Sequence, residues 1–419
     1  MTGQTPSLDA TLADVVATAA KPLSQAMTLP KEAYNDPAFF AVEQKKAMEA
    51  GWICLAHVSQ VKTPGSFIAV DLFDEPLLVV RGRDEEVRVL TRVCAHRAMD
   101  IMPDTEEFPR KGETRLLTCP YHKWVYDLDG SLRGCPHMQE AEGFDRKDWK
   151  LEPFRTEIWN GFVFVNMDGM APPLAEQFAD FDKAIAPWNT ADMDVVIELD
   201  WECDFNWKVM IENWMESYHH IGAHATTLNP IMPGENTWTE PEHPHFVKAH
   251  LPYKDALHEE WKQAQQTGEK LPGFKPVPGL SEEQATEWGL YVGFPFFMFL
   301  TTNDRVIWYR LLPTGVDSAR LTTTTLVTKE AQAEPDFEET LVSETDMLRG
   351  FHMEDMVVNS AVQKGLRSSK VQRGRLSHLE EPVWLIHRWL AARLQDSYPD
   401  KAERTPYYGP RAEQMQAAE

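Results

Sequence analysis

Four side chains constrain this 419-residue chain more than anything else in it: Cys94 and His96 in CAH and, after 22 intervening residues, Cys119 and His122 in CPYHKW. They form a Cys-x-His pair and a Cys-x-x-His pair in matching order. Both fall in residues 51–166, which read as short strands: SFIAVDLFDEPLLVVRG, EVRVLTRVCAH, RLLTCPYHKWVYDLDGSL and GFVFVNM are rich in β-branched and aromatic residues, and Asp129-Gly130 is a hairpin-turn dipeptide. Two loops of a small all-β module can present four such ligands to one centre. A tetrahedral zinc ion and a two-iron cluster accept two Cys and two His equally well, and the spacing does not separate them. A metal-free reading fits less well, because both pairs flank turns. Cys54, Cys135, Cys203 and His137 read as ordinary side chains.

A second concentration of ligand-type residues lies downstream. Residues 1–50 read as mostly helical, with Asp36-Pro37 as a start signal, and MDVVIELDWECDF beyond the β module reads as a strand. One helix is expected through NWKVMIENWMESYHHIGAH, carrying Glu216, His219, His220 and His224. On an ideal helix His220 and His224 face together and Glu216 shares a face with His219, whereas a His219–His224 pair needs the helix to loosen at Gly222. Residues 229–280 are proline-rich and read as long loops with short helices. The run from Tyr291 to Glu330 reads as three antiparallel strands, and residues 337–395 as largely helical, with Glu354 and Asp355 side by side in GFHMEDMVVNSAVQKGL. Two histidines and one carboxylate on one face are what a non-haem iron(II) site requires. These elements make a second domain, α+β, over residues 167–419, with residues 1–50 as its N-terminal helical segment.

Composition excludes several classes. The chain carries 41 Lys and Arg against 65 Asp and Glu, a net charge of −24, and lacks the clustered cations of a nucleic-acid binder. Five cysteines are too few and odd in number for a secreted disulfide framework, so a reducing, cytoplasmic setting is expected. The first twenty residues contain Asp9 and Asp14 and no apolar h-region, so no signal peptide is expected. The most apolar run, Leu290–Thr302, is shorter than the roughly 20 residues of a membrane span and is interrupted by Pro295, so it reads as buried strand. Its aromatic residues, Tyr291, Phe294, Phe296, Phe297 and Phe299, are candidates for lining an apolar pocket.

CAHR followed by CPYHKWVYDLDGSL resembles the Rieske iron-sulfur signature. ENWMESYHHIGAH with the later ED pair resembles the mononuclear-iron motif of the α (catalytic) subunits of Rieske non-haem iron aromatic-ring-hydroxylating oxygenases. The resemblance implies an α+β protein in which an all-β Rieske domain is inserted into a helix-grip catalytic domain. It implies a [2Fe-2S] cluster with Cys94 and Cys119 on one iron and His96 and His122 on the other. It also implies a mononuclear Fe(II) held by His219, His224 and Asp355, with His220 in reserve. Ala98 and Lys123 stand where the family often has glycine.

The implied function is that of a terminal oxygenase. It uses O2 and electrons from NADH or NADPH, delivered by a separate reductase with or without a ferredoxin, to hydroxylate or oxidatively demethylate a small organic, aromatic substrate. In such enzymes an acid at the position of Glu216 bridges a mononuclear-iron histidine to a Rieske histidine of the neighbouring subunit, which implies a homotrimer. A quaternary-ammonium monooxygenase of the same family is the alternative. A non-enzymatic Rieske electron carrier predicts one domain and no second metal motif, and a zinc-stabilised binding module predicts a colourless protein.

Overall fold

A computed structural model describes residues 6–395 of the chain. The chain divides into two compact units: Ala50–Ala175 forms one, and the segments before and after it, Met1–Glu49 and Glu176–Glu419, form the other. The first is therefore an insertion in the second.

The inserted unit is built from ten short strands: β1 (Ile53–His57), β2 (Ser66–Leu72), β3 (Glu75–Arg81), β4 (Val87–Thr91), β5 (Lys111–Glu113), β6 (Leu117–Thr118), β7 (Val125–Tyr126), β8 (Leu132–Gly134), β9 (Arg155–Trp159) and β10 (Phe162–Asn166). They make three antiparallel sheets, ordered β1-β10-β9, β4-β3-β2-β5 and β6-β7-β8. Gly130 closes the β7–β8 hairpin with φ +89°, and a Cβ there would meet the Leu151 carbonyl oxygen at 2.7 Å, so only glycine fits this turn. Leu78, Val80, Leu90, Ile101, Leu117, Tyr126 and Leu151 form its buried core, which includes Cys94 and Cys119. Each such aliphatic side chain contributes roughly 1.5–3 kcal/mol through burial.

The larger unit holds a seven-stranded antiparallel sheet in the order β11-β17-β16-β15-β14-β13-β12. Its strands are β11 (Asp194–Cys203), β12 (Trp238–Thr239), β13 (Phe246–Pro252), β14 (Glu287–Gly293), β15 (Phe297–Thr301), β16 (Val306–Gly315) and β17 (Ser318–Val327). The principal helices are α1 (Leu8–Ala19), α2 (Trp207–Met215), α3 (Asp255–Thr267), α4 (Phe337–Leu366) and α5 (Glu381–Leu394). This is the α+β, helix-and-sheet architecture expected. Three details differ from expectation. The run from Tyr291 read as three strands holds the end of β14 and all of β15, β16 and β17, because the chain reverses at Phe294–Phe296 between β14 and β15. The proline-rich region contains two strands of the main sheet, β12 and β13, and a 13-residue helix, α3. The helix expected to run to His224 ends at Met215.

Candidate metal centres

The two ligand loops of the inserted unit have the same backbone construction. In the first, the Cys94 amide donates to the Met99 carbonyl (2.9 Å) and the Ala98 amide to the Cys94 carbonyl (3.0 Å). In the second, the Cys119 amide donates to the Trp124 carbonyl (2.8 Å) and the Lys123 amide to the Cys119 carbonyl (3.1 Å). Each loop turns through a left-handed residue four positions after its cysteine, Ala98 at φ +54° and Lys123 at φ +57°. These are the two positions where glycine was the family's usual residue, and the conformation explains why glycine suits them.

The cysteines are buried at 2% and 1% exposure, while His96 and His122 are half-buried with ring centroids 4.6 Å apart. Trp124 stacks on His96 at 4.8 Å and 6°. Tyr126, not singled out from the sequence, places its hydroxyl 3.1 Å from Cys94 Sγ. Burial raises the Cys119 thiol pKa, a cost that a bound cation would reverse. For His96, burial first and then His122 and Arg97 lower the pKa, so this ring is neutral, as a ligand must be. Buried Arg92 pairs with Asp71 and, at 3.0 Å, with Asp100, pinning the start and end of the first loop.

In the larger unit, α2 begins under an Asn206 cap, whose Oδ1 accepts from the Lys208 amide at 2.9 Å, and stops at Met215. Glu216 is extended (φ −116°, ψ 154°), and a short 3-10 turn over Tyr218–Ile221 follows. Glu216 is therefore not on a shared helical face with His219; the break lies before Glu216 and not at Gly222, which has an ordinary right-handed backbone. The close pass is at Gly234, where a Cβ would sit 2.2 Å from the Ser217 carbonyl oxygen.

This non-helical path brings His219, His224 and Asp355 together, with ligand atoms within 4.8 Å of one another. Asp355 Oδ1 lies 2.9 Å from His224 Nε2 and 3.5 Å from His219 Nε2. Behind each imidazole stands a second carboxylate: Glu216 Oε1 is 2.7 Å from His219 Nδ1, and Glu354 Oε2 is 2.6 Å from His224 Nδ1. Thr227 Oγ1 donates to the same Glu354 oxygen at 2.6 Å. Sequence reasoning missed this use of Glu354; its position beside Asp355 was the available signal. Burial opposes protonation of His224, but Asp355 and Glu354 outweigh it and raise its pKa. His220 lies beside these rings and lines the same cavity but is outside the ligand group: its Nδ1 donates to the Met232 carbonyl at 3.0 Å, and burial pushes its pKa down to about 4.

Two family descriptions match the chain, a Rieske [2Fe-2S] domain over residues 51–150 and a ring hydroxylating α subunit catalytic domain over residues 190–396. The chain belongs to the Rieske oxygenase α subunits. It is 26% identical over 342 residues to the glycine betaine monooxygenase oxygenase subunit of Chromohalobacter salexigens, covering 74% of this chain and 73% of that protein. It is 32% identical over 204 residues to the carnitine monooxygenase oxygenase subunit of Acinetobacter pittii, 48% of this chain and about half (53%) of that one. Its fold matches a solved quaternary ammonium Rieske monooxygenase with a TM-score of 0.73 at 23% identity, over 91% of this chain and 97% of the other.

The cofactors of a Rieske oxygenase α subunit are a [2Fe-2S] cluster and a mononuclear iron, and the donor sets fit both. Two buried thiols and two facing imidazoles on matching loops suit the cluster; two Nε2 atoms and one carboxylate oxygen converging on one point suit iron(II). When bound, the cluster supplies single electrons and the iron activates O2.

In this Rieske oxygenase the carboxylates behind His219 and His224 fix which nitrogen faces the metal position. That position opens into a solvent-connected cavity. Its walls are Asn213 and Trp214 from α2, Leu251 from β13, Trp288 and Leu290 from β14, Leu300 from β15, Ile307 and Tyr309 from β16, and Phe351 from α4. The expected aromatic run is on the other face of the sheet, because side chains alternate along a strand. Leu290, Leu300 and Ile307 form one cross-strand row toward the cavity, while Tyr291 and Phe299 form the next, packed on Phe181. Phe297 joins Phe178 there, Phe294 stacks on Trp389 at 4.4 Å, and Phe296 meets Trp207. None of the five lines the cavity.

Proposed function

We propose that this terminal oxygenase uses O2 and two reductase-supplied electrons to hydroxylate a carbon attached to the nitrogen of a small quaternary ammonium compound, with oxidative demethylation as the outcome when that carbon is a methyl. The observation that carries the substrate class is the charge and shape of the cavity. Trp214, Trp288, Tyr309 and Phe351 give it four aromatic walls, Trp214 and Tyr309 at 4.2 Å and Trp288 and Phe351 at 6.3 Å between ring centroids. The only carboxylates lining it are Glu216 and Asp355, and no lysine or arginine does so among the described residues. Aromatic faces attract onium cations, and no lysine or arginine lines the cavity to repel them among the described residues. The glycine betaine and carnitine monooxygenase subunits support the same choice.

His219 and His224 are assigned as ligands with Asp355, and Cys94, His96, Cys119 and His122 as the cluster ligands. Glu216 orients His219 and, in a homotrimer, bridges toward a Rieske histidine of the next subunit. A related solved monooxygenase gives insights into inter-subunit electron transfer, which supports this assembly. A cytoplasmic setting suits the five free cysteines. No helix among the described residues is long and apolar enough to cross a membrane.

The deciding experiment is a substrate screen with a surrogate reductase, comparing trimethylammonium compounds with neutral aromatics and aromatic acids. Product formation coupled to NADH consumption is expected for the cationic set. Coupled turnover of aromatics alone would return the aromatic reading to first place.

A further inference from the structure

A second group of metal-ligating side chains sits on the sheet face opposite the cavity. His250 on β13 is 3% exposed and stacks on Trp238 of β12 at 3.7 Å and 5°. Its Nδ1 lies 2.7 Å from Glu287 Oε1 on β14, and its Nε2 lies 3.2 Å from Glu240 Oε1 just after β12. Lys248 also reaches Glu240, at 3.0 Å. Glu283 completes the group from a one-turn helix, Glu282–Ala285, held in register by a Ser281–Gln284 capping box. One ligand atom from each of His250, Glu283 and Glu287 lies within 4.8 Å of the other two.

The same signature marks the iron position in this chain. There His224 has one ring nitrogen against a ligand carboxylate, Asp355, and the other against an orienting carboxylate, Glu354. Here Glu287 takes the first place and Glu240 the second, and such a carboxylate behind a histidine is what fixes the tautomer of a metal ligand. Exposed Glu283 leaves the group open to solvent, so an ion can enter without unfolding the sheet.

We propose that His250, Glu283 and Glu287 form a second site for a divalent transition-metal ion, with Glu240 orienting His250. One imidazole and two carboxylates are ligands that zinc takes, with water to fill the fourth position. The ion would tie β13 and β14 together at the rungs where Leu251 and Trp288, opposite each other and facing the substrate cavity, are anchored.

Zinc is the probe. Crystals of the iron-loaded holoenzyme soaked in zinc chloride are expected to show anomalous density at the zinc edge, about 2 Å from His250 Nδ1 and bonded to Glu283 and Glu287. In solution, Glu283→Gln changes an exposed side chain and keeps the fold. It is expected to weaken zinc binding at this site by at least about tenfold and to abolish the zinc-dependent rise in Tm, while its Tm in chelator matches wild type. Zinc density confined to His219, His224 and Asp355, or a Glu283→Gln protein that binds zinc as wild type does, overturns the proposal. The wild-type map decides independently of any variant.

Discussion

Asp355 Oδ1 sits between the Nε2 atoms of His219 and His224, so the three side chains behave as one donor set and the neighbouring His220 as something else. Asp355→Ala removes the shared oxygen, and iron analysis is expected to show loss of the mononuclear iron with the Rieske absorption unchanged. His220→Ala removes a buried donor to the Met232 carbonyl; it is expected to retain iron while losing about 1–3 kcal/mol in urea unfolding. Iron loss in the His220 variant with iron retained in His219→Ala would reverse the assignment. Ala98 and Lys123 carry a different residue-scale cost, since a left-handed backbone is disfavoured by roughly 1 kcal/mol for a residue with a Cβ. Ala98→Gly is accordingly expected to stabilise the inserted unit by about that amount, read as a higher denaturant midpoint for loss of the cluster's visible absorption. An unchanged or lower midpoint would mean that the loop is held by its two hydrogen bonds alone.

At the scale of elements, α2 leads into the segment with Glu216, His219 and His224 and is anchored by a charge with no access to water. Lys208 and Glu43 are both fully buried, with Nζ 2.8 Å from Oε2, and the ammonium also lies over the rings of Tyr34, Trp207 and Phe39. Burial raises the Glu43 pKa and lowers that of Lys208, the direction expected when desolvation opposes charge. Lys208→Met strands Glu43 and is expected to cost about 3–5 kcal/mol, whereas Lys208→Met with Glu43→Leu recovers most of it. Thermal melts of the four proteins test this coupling, and additive losses would refute it. How legible these elements were follows from where their signals reside. The candidate cluster residues stood out because two short loops carry them within one stretch of sequence. The candidate histidines stood out as a group, but their path did not: helical spacing favours His220 with His224, and only the packing of Ser217 against Gly234 and the stop at Met215 release the chain. The cavity walls were misassigned because a run of aromatics gives no parity, and the face turned toward the cavity depends on pairing with distant strands. Glu354 and Tyr126 act through partners 130 and 32 residues away, which no local pattern reports.

For the molecule as a whole, acid sensitivity and modularity both follow from the placement of groups. Burial pushes the pKa values of His245 and His352 down to about 4, against about 6.5 in an unfolded chain. Between those pH values the unfolded state binds more protons, so stability falls as pH drops from 6.5 toward 4. His352→Gln is expected to make that slope shallower by up to one proton, measured as urea midpoint against pH; an unchanged slope would show that His352 is protonated in the fold. Modularity rests on how the inserted unit closes. Its first and last strands pair with each other, Ile53 opposite Val165 and His57 opposite Phe162. Asn166 Nδ2 donates to the Gly51 carbonyl at 2.9 Å, and Trp52 Nε1 to the Pro172 carbonyl at 2.9 Å, so the two ends of the insertion are fastened to one another. Cys94, His96, Cys119 and His122, their loops and the core beneath them all lie inside this span. A segment with adjacent termini and its own core meets the requirements of an independent domain. Residues 50–175 expressed alone are therefore expected to fold, to take up a [2Fe-2S] cluster and to be brown, with the reduced-state paramagnetic resonance of the full chain. The remaining segments are expected to hold the mononuclear iron when joined by a short linker. A colourless or insoluble 50–175 fragment, with cluster uptake intact in the full chain, would show that the insertion depends on its host for stability.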